Sequence, residues 1–427
     1  MSVSFASFLL LILSGAPMVF ALGAAGALTL ALTTQVPLTV VAQRLYAGLD
    51  SFTIMAIPFF VLAGLIMEEG GIARRIVQLA AALVGWVTGS LFMVAVVTGA
   101  GLAAISGSGS ADTAAIASML TPEMRRRAYD IDFSASLVAA AGALGPIIPP
   151  SIIMVVVASI SNLSVGAMFL GGALPGLMMA AGLLLVAYGF ARGGGAIYRD
   201  AEPFSLVRLG RALVAALPAL AMPAIIVGGI LGGAFTPTEA AAIAVLVGFV
   251  VALFVYRELR LVDLPRLILR AAGASSAVVL IIGTASIFSW LIASQNVQAV
   301  VANWITAHAG GAASFLLLVN LLLFLVGMFM ESISAILILM PVLMPIAVKL
   351  GIDPVHFGVI CAVNLSIGLI TPPYGICLFV AATVVKRTVA QVSAKVWLPL
   401  MPMLLVLLLA TYVPEVVLWL PKTFMPK

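Results

Sequence analysis

LGPIIPPSI, residues Leu144–Ile152, is the stretch that decides the fold of this chain. It lies inside a long apolar run, yet it holds three prolines in five positions. Proline has no N–H and clashes with the preceding turn, so a regular helix does not continue through this stretch. Inside a membrane, a broken helix is tolerated only where the break faces protein or a water-filled cavity. The stretch therefore predicts an interrupted helix that faces a functional site.

The same device recurs at Gly368–Gly375, which reads GLITPPYG. Pro149 and Pro150 are matched, 223 positions later, by Pro372 and Pro373. Interrupted helices at corresponding positions of two halves are the sequence signal of a transporter's binding site. We therefore predict two structural repeats, each of which contributes one broken helix to a shared site.

The composition assigns the chain to the lipid bilayer. Of its 427 residues, 64% are hydrophobic and 8% are charged, whereas a soluble domain carries roughly 25% charged residues. The apolar runs are near-continuous rather than alternating, so helices are expected and not a β-barrel. The net charge of +5 does not indicate nucleic acid as a partner, because the arginines cluster in short loops that orient a membrane protein. The first apolar segment resembles a signal peptide, but more membrane sequence follows, and we interpret it as the first membrane helix.

Residues suited to catalysis or to binding a transition metal are scarce. Cys361 and Cys377 lie in apolar runs, where a buried, reduced thiol is the usual outcome. His308 and His356 are isolated, so no metal-site spacing is present. A membrane enzyme needs a nucleophile with its base, a metal site or paired acids, and a channel needs one continuous pore-lining motif. Both classes are disfavoured, and no organic cofactor is expected.

Two further segments are typical of re-entrant hairpins. In the first, short apolar arms meet at Ser106–Ser110, SGSGS, a tip without helix formers. In the second, the arms meet near Met330–Ser334, MESIS. Arginines flank the first hairpin on both sides, whereas the flanks of the second are poor in Lys and Arg. The positive-inside rule therefore places the hairpins on opposite sides of the membrane, which makes the repeats inverted and the C-terminus periplasmic.

The predicted fold is an all-α polytopic membrane protein with an inverted repeat, two re-entrant hairpins and two broken helices. Each repeat is expected to contain a scaffold, then a hairpin with its broken helix, then a final span. In the first repeat, 1–190, these parts are 1–85, 86–162 and 163–190. In the second repeat, 209–427, they are 209–308, 309–385 and 386–427, after a cytoplasmic linker at 191–208. Val36–Leu49 and Glu258–Arg270 are expected to be interfacial arm helices along the membrane surface.

The motifs, taken together and in order, resemble one family. ISGSGSADTAAIASMLTPEM, GALGPIIPPSI, GGAFTPTEAAAIAV, MFMESISAILILMPVLMP and GLITPPYG are similar to the large membrane subunit of tripartite ATP-independent periplasmic (TRAP) transporters. This is the DctM or SiaM type within the ion transporter superfamily, and the resemblance covers essentially the whole chain. It implies an elevator-type symporter in the bacterial inner (cytoplasmic) membrane. Its coupling ion would be Na⁺ and its substrate a carboxylate-bearing small molecule, such as a C4-dicarboxylate, sialic acid or a related organic acid.

The resemblance also implies two protein partners. One is a small four-helix membrane subunit of the DctQ or SiaQ type, which we expect as a separate polypeptide. The other is a periplasmic substrate-binding protein of the DctP or SiaP type. A stand-alone ion-coupled anion transporter of the same superfamily is the alternative function. The identity of the substrate is beyond the sequence, because the binding protein does most of the selection in such systems.

The chemistry of the breaks agrees with sodium coupling. An interrupted helix frees carbonyl oxygens, which suit Na⁺, and presents N–H groups, which suit an anion. Sodium ligands carried over from the family motifs are expected at Ser106, Ser108, Gly145, Ile148 and Pro150, and at Gly327, Ser332, Gly368, Thr371 and Gly375. Substrate contacts are expected at Ser110, Asp112, Ser151, Glu331 and Asn364.

The roles of three carboxylates stay open at the level of sequence. Asp112 and Glu331 lie at the two tips, where a functional role and a structural bond to the hairpin backbone are both compatible with their positions. Glu239, in FTPTEAAA, fits the start of a helix as well as a family signature. No Arg lies in either tip or break to clamp a carboxylate. Substrate binding is therefore expected to depend on helix N-termini, hydroxyls, backbone and bound sodium.

Overall fold

The computed structural model describes residues 2–33, 36–199, 203–295 and 311–425, and every regular element in these ranges is helical. The first repeat contains α1 (Ser2–Leu13), α2 (Met18–Thr33), α3 (Thr39–Leu49), α4 (Ala56–Glu69), α5 (Ile72–Val84), α6 (Ser90–Ser106), α7 (Gly109–Arg126), α8 (Ile131–Gly142), α9 (Ile152–Ser161) and α10 (Val165–Gly193). The second contains α11 (Leu206–Leu231), α12 (Pro237–Val250), α13 (Leu264–Ser294), α14 (Ala312–Gly327), α15 (Ser332–Lys349), α16 (Pro354–Gly368), α17 (Ile376–Val384), α18 (Val389–Tyr412) and α19 (Glu415–Phe424). Short 3₁₀ turns occur at Ala196–Arg199 and Leu261–Asp263, and a π-helical turn at Val251–Val255 extends α12.

The helices have the lengths that a membrane demands. Six of them are long and apolar enough to cross a bilayer, and the bent pair α4–α5 adds a seventh if it is counted as one span. The pair bends by 66° at Gly70 and Gly71. Gly71 has φ of +76°, a left-handed conformation that favours glycine. The prediction of an all-α polytopic membrane protein is confirmed.

Both predicted broken helices are present. The first is α8 and α9, separated by residues 143–151, and the second is α16 and α17, separated by residues 369–375. Each break contains a cis peptide bond, Pro149–Pro150 in the first and Pro372–Pro373 in the second. The prolines interrupt each helix, as the sequence predicts, because they remove backbone donors within an apolar run.

Both predicted hairpins are present as well. α6 and α7 are joined by Gly107 and Ser108, and α14 and α15 by residues 328–331. Gly107 has φ of +63°, and a Cβ atom there would lie 2.8 Å from the carbonyl oxygen of Pro150. Glycine therefore lets the first tip turn tightly and approach the first break at the same time.

The hairpins and broken helices form one core, because each broken helix packs against the hairpin of the other half. α9, after the first break, packs against α15 of the second hairpin, while α17, after the second break, packs against α7 of the first. At the base of the core, Arg387 lies 3.2 Å from Asp132, and Lys395 lies 3.8 Å from Asp130. The inverted relation of the repeats and the domain boundaries remain predictions. Residues 200–202 of the predicted linker and 296–310 of the predicted scaffold and second hairpin lie outside the described ranges.

A second group of helices forms the scaffold. α13 packs against α2, α3 and α4, and α4 packs against α12. Two ion pairs join α4 to α13, since Glu69 binds Arg266 and Arg270. A third joins α5 to the segment that follows the π-helical turn, since Arg75 binds Glu258. These contacts give the scaffold its own set of charged links, separate from the pairs at the base of the core.

The helix starts of the scaffold agree only in part with the sequence predictions. The first arm helix is observed as α3, whereas the segment predicted as the second arm continues without interruption into α13 from Leu264. Pro265 starts that helix, and no helix-breaking pair follows it. The helix start at Glu239 is confirmed, since its backbone N–H donates to Thr236 Oγ1 at 3.3 Å and its carboxylate accepts from the Thr236 N–H at 2.8 Å.

Candidate functional site

A cavity of about 410 Å³ lies where the two hairpin tips meet the scaffold. Its polar wall residues come from the first tip, the second tip and α4: Ser106, Ser108, Ser110, Asp112, Glu331 and Glu68. Apolar residues of α4, α6 and α13 close the remaining sides. An apolar cavity with a few convergent polar groups is the usual form of a ligand site. The structure thus brings five of the predicted site residues to one space.

Asp112 is the most buried carboxylate of this wall, with 2% of its surface exposed. Ser106 Oγ donates to Asp112 Oδ1 at 2.5 Å, and the Ser108 N–H donates to the same Ser106 oxygen at 3.1 Å. Asp112 Oδ2 is buried and has no hydrogen-bond partner among the described residues. A Cβ atom at Gly145 would lie 2.7 Å from Oδ2. The unpaired oxygen is therefore aimed at the first break.

A buried, unpaired carboxylate oxygen has a definite chemical meaning. Leaving a charged group without a partner in an apolar interior costs free energy, and a bound cation or a proton removes that cost. The Pro150 carbonyl comes close to the tip at Gly107, and the Ser106 hydroxyl lies against the carboxylate. Carboxylate, hydroxyl and carbonyl oxygens are hard ligands of the kind that suit Na⁺.

Two predicted residues of the first break are engaged in packing. Ser151 Oγ donates to the Pro146 carbonyl at 2.5 Å and accepts from the Met154 N–H at 3.3 Å, so this hydroxyl caps α9. Ile148 is buried, and its side chain faces Gly176 of α10. Neither side chain belongs to the cavity wall, and sodium binding by the Ile148 backbone remains a prediction.

The second tip lies directly on the second break. A Cβ atom at Gly368 would lie 2.7 Å from the backbone carbon, oxygen and Cα of Gly327. Ser332 Oγ donates to the Leu365 carbonyl at 3.2 Å, and Thr371 Oγ1 donates to the Ile367 carbonyl at 2.9 Å. Gly375 folds back so closely that a Cβ atom there would meet the Leu369 carbonyl at 2.7 Å. The five residues predicted for a second sodium site therefore all belong to this tip and break.

Glu331 caps the helix that follows the second tip. Its Oε2 accepts from the N–H groups of Ile333 and Ser334 at 3.1 and 3.2 Å. These are two of the free donors at the start of α15. Glu331 also lines a further cavity of about 550 Å³ beside Pro373 and Tyr374. Glu331 therefore caps α15 and also lines both the cavity at the hairpin tips and the cavity beside Tyr374.

Asn364 lies away from the cavity, in a polar network of the core. It is fully buried, and its Nδ2 donates to the carbonyl oxygen and the side-chain oxygen of Asn320 at 2.9 and 2.7 Å. Asn320 in turn donates to Thr411 Oγ1 at 2.9 Å. This network links α14, α16 and α18. Its geometry is that of a structural connection, and a substrate contact by Asn364 remains a prediction.

Glu68 is a cavity residue that the sequence analysis does not single out. It ends α4 next to Glu69, and while Glu69 binds two arginines of α13, Glu68 lines the cavity. The sequence signal that could have identified Glu68 is the pair of acidic residues, Glu68 and Glu69, at the end of an apolar span. Among the described wall residues three are carboxylates and none is Lys, Arg or His. No group of three or more His, Cys, Asp or Glu in the described ranges is close enough to hold one metal ion.

Comparison with known proteins agrees with the arrangement of hairpins and breaks. Residues 5–416 match the family described as tripartite ATP-independent periplasmic transporter, DctM component. The C4-dicarboxylate TRAP transporter large permease protein DctM of Rhodobacter capsulatus is 39% identical over 426 residues, which cover 96% of each chain. The sialic acid TRAP transporter large permease protein SiaM of Vibrio cholerae is 36% identical over 415 residues, 97% of each chain.

Two other similar proteins extend this result. The isethionate TRAP transporter permease protein DctMQ of Oleidesulfovibrio alaskensis is 42% identical over 97% of this chain, and the match spans 65% of that longer protein. Among solved structures, the YdaH transporter of Alcanivorax borkumensis has a TM-score of 0.57 at 17% identity, over 95% of this chain and 98% of that one. That likeness shows the fold alone. The chain belongs to the DctM family, and it is therefore a large permease component of a TRAP transporter and not an enzyme.

Proposed function

We propose that this permease carries a small organic anion across the bacterial inner membrane together with Na⁺. A periplasmic binding protein delivers the anion, and a small four-helix membrane subunit works beside the permease. Relatives of this chain are named for C4-dicarboxylates, sialic acid, isethionate and 2,3-diketo-L-gulonate. All of these are small oxygen-rich acids, which supports an organic anion as the class of substrate.

The observation that carries the proposal is the unpaired Asp112 oxygen, aimed at the first break in a cavity whose charged wall groups are all acidic. Two like charges about 4 Å apart repel by about 4 kcal/mol at an effective dielectric constant near 20. An organic anion that enters this cavity alone therefore meets strong repulsion. A cation bound between tip and break reverses that balance. Coupling of anion and cation follows from the charge of the cavity.

Alternating access is proposed to occur by movement of the core against the scaffold. Ion pairs hold each body together. The moving body is the core together with α18, which packs against α8, and here Asp130 and Asp132 pair with Lys395 and Arg387. In the scaffold, Glu69 pairs with Arg266 and Arg270. An elevator movement leaves all of these pairs intact, because each joins elements of one body. The cavity lies between the two bodies, since its wall combines both tips with α4 and α13.

Uptake into proteoliposomes tests the proposal. The ligand is first chosen by thermal-shift screening of the cognate binding protein against C4-dicarboxylates, sialic acid and keto acids. Radiolabelled ligand is then supplied to vesicles that contain both membrane subunits, with the binding protein outside. We expect uptake with an inward Na⁺ gradient and loss of uptake when K⁺ replaces Na⁺. Equal uptake without the gradient contradicts sodium coupling, and equal uptake by the large subunit alone supports the stand-alone alternative.

A further inference from the structure

A second cavity lies apart from the candidate site, between the base of the first hairpin and the scaffold. Its volume is about 570 Å³, and it is lined by the end of α5, the start of α6, the residue after α7 and the start of α11. The polar wall residues include three arginines: Gln78, Ser90, Arg127, Ser205, Arg208 and Arg211. We call this space the basic cleft. None of its described wall residues is Asp or Glu.

The three arginines of the basic cleft come from two parts of the fold. Arg127 Nε donates to Glu123 Oε1 at 2.5 Å, so one arginine has a carboxylate neighbour outside the wall. Arg208 and Arg211 are both exposed, one helical turn apart on α11. Ser205 caps that helix, and its oxygen accepts the Arg208 N–H at 3.3 Å. Guanidinium groups beside a helix start are suited to the oxygens of a phosphate group.

The surroundings of the basic cleft are those of a lipid-facing surface. Trp86 and Phe204 form its rim, 51% and 49% exposed, with their rings edge to face and 6.0 Å apart. Below the rim, α11 presents exposed aliphatic side chains at Val214 and Leu217. Aromatic residues at the level of the headgroups, above an aliphatic helix face, are typical of the membrane interface. The arginines lie on the face that the positive-inside rule assigns to the cytoplasm.

We propose that the basic cleft binds the phosphate headgroup of an anionic phospholipid, whose acyl chains lie along α11. Basic pockets between helices on the cytoplasmic side are suited to such headgroups. Arg127 follows α7 at the base of the core, whereas Arg208 and Arg211 belong to α11 of the second repeat. A bound headgroup therefore connects the hairpin base with α11. This inference does not depend on which anion is transported.

Native mass spectrometry of the purified complex tests the lipid site. The protein is equilibrated with phosphatidylglycerol or with phosphatidylcholine, and the retained lipids are counted for three proteins. These are the wild type, Arg208→Gln/Arg211→Gln, and the charge-matched control Arg192→Gln/Arg257→Gln, which changes two exposed arginines outside the cleft. Each arginine near the surface strengthens binding of an anionic lipid by about a factor of five. We expect retention of phosphatidylglycerol to weaken by about 30-fold in the cleft variant and to stay unchanged in the control.

Three outcomes overturn the proposal. The first is equal retention of phosphatidylglycerol by the cleft variant and the wild type. The second is complete displacement of the lipid by equimolar glycerol 3-phosphate, which indicates a site for soluble phosphate. The third is loss of the small subunit on co-purification with the lipid retained, which indicates a protein interface. If the double variant does not elute as a monodisperse protein, Arg211→Gln alone is used, with an expected weakening of about fivefold.

Discussion

The two hairpin tips use their carboxylates in opposite ways. Asp112, at the first tip, is buried, accepts one hydrogen bond from Ser106 and leaves its second oxygen unpaired. Glu331, at the second tip, is exposed and accepts two backbone N–H groups of the helix that it starts. The backbone plan of the repeats is shared, whereas the side-chain chemistry is not. The difference shows that Glu331 is bonded by the helix that follows its own tip, whereas one oxygen of Asp112 is left without a hydrogen bond that a cation or a proton would replace.

Replacing Asp112, the carboxylate of the first tip, is expected to have the largest effect and is the strongest test of the difference between the tips. Asp112→Asn keeps the shape of the side chain but removes its charge, so a cation at the first break loses a ligand. We expect the sodium concentration for half-maximal uptake to rise by at least about 30-fold, the equivalent of about 2 kcal/mol. The measurement is uptake into proteoliposomes at increasing Na⁺, with Ser118→Ala, at an exposed position of the same helix outside the wall, as the control.

The same variant has a second, opposite consequence in the absence of sodium. Removing an unpaired buried charge stabilises the protein, because the wild type bears the desolvation cost of that charge. The Tm of Asp112→Asn in Na⁺-free detergent solution is therefore expected to exceed that of the wild type. A lower Tm would show that the carboxylate is already satisfied and would remove the contrast between the tips.

The close approach of the second tip to its break gives the next largest effect. Gly368→Ala places a Cβ atom 2.7 Å from backbone atoms of Gly327, which side-chain movement does not relieve. We expect a loss of about 1–3 kcal/mol of stability, as in other overpacked sites, together with loss of uptake. Thermal unfolding in detergent measures the first quantity. Gly189→Ala on α10 is the matched control, since nothing lies within 4 Å of its Cβ position.

The corresponding substitution in the first repeat sharpens the comparison. Gly145→Ala also meets an atom at 2.7 Å, but that atom is Asp112 Oδ2 of a side chain, and the nearest backbone atoms, of Ser108 and Gly109, are farther away at 3.0 and 3.2 Å. We expect a smaller loss of stability than in Gly368→Ala and a larger change in the dependence of uptake on sodium. Equal effects of the two variants on both measurements would indicate that the two tips are chemically equivalent.

Much of this architecture is predictable from the sequence because prolines and glycines act locally. The PIIPP and TPP motifs interrupt their helices whatever the helices pack against, because the effect of proline is local. Gly107 marks a tight turn in which a Cβ atom would meet the backbone of the first break. The site is less predictable, because it depends on the rotation of a helix about its own axis. Glu68 and Glu69 are neighbours in sequence, but one lines the cavity and the other binds arginines of α13. Only the packed structure separates their roles.

Long-range polar contacts are the other part that sequence does not reveal. Asn364 lies four residues before the second break, a position that predicts a contact with substrate. Its Nδ2 is bonded to Asn320, which is 44 residues away in the chain, while its Oδ1 is buried without a hydrogen-bond partner among the described residues. A pairing at that separation depends on how α14 and α16 pack, and no local signal encodes it.

A substitution at Asn364 distinguishes a structural role of this residue from a role in substrate binding. Asn364→Ala removes two hydrogen bonds and leaves buried groups of Asn320 without partners. We expect a loss of about 1–3 kcal/mol of stability with an unchanged KM for the transported anion. Ser366→Ala, which removes a bond only to the carbonyl of Ala362 in the same helix, is the control with a smaller expected loss. A KM that rises in Asn364→Ala while Tm is unchanged would support the predicted contact of this residue with the substrate.

The smallest effect is expected at the second tip itself. Glu331→Gln keeps an acceptor oxygen at the start of α15, so the lost capping interaction is at most about 1 kcal/mol. Glu239→Gln is the matched control, because Glu239 also serves the start of a helix but is not part of the cavity wall. If capping is the whole role of Glu331, the two variants lower Tm by similar amounts and leave the sodium dependence of uptake unchanged. A shift in sodium dependence for Glu331→Gln alone would mean that the second tip, too, attracts the coupling ion. The two tips would then differ only in how strongly they attract the ion, because the N–H groups of α15 already occupy Glu331, whereas one oxygen of Asp112 accepts no hydrogen bond.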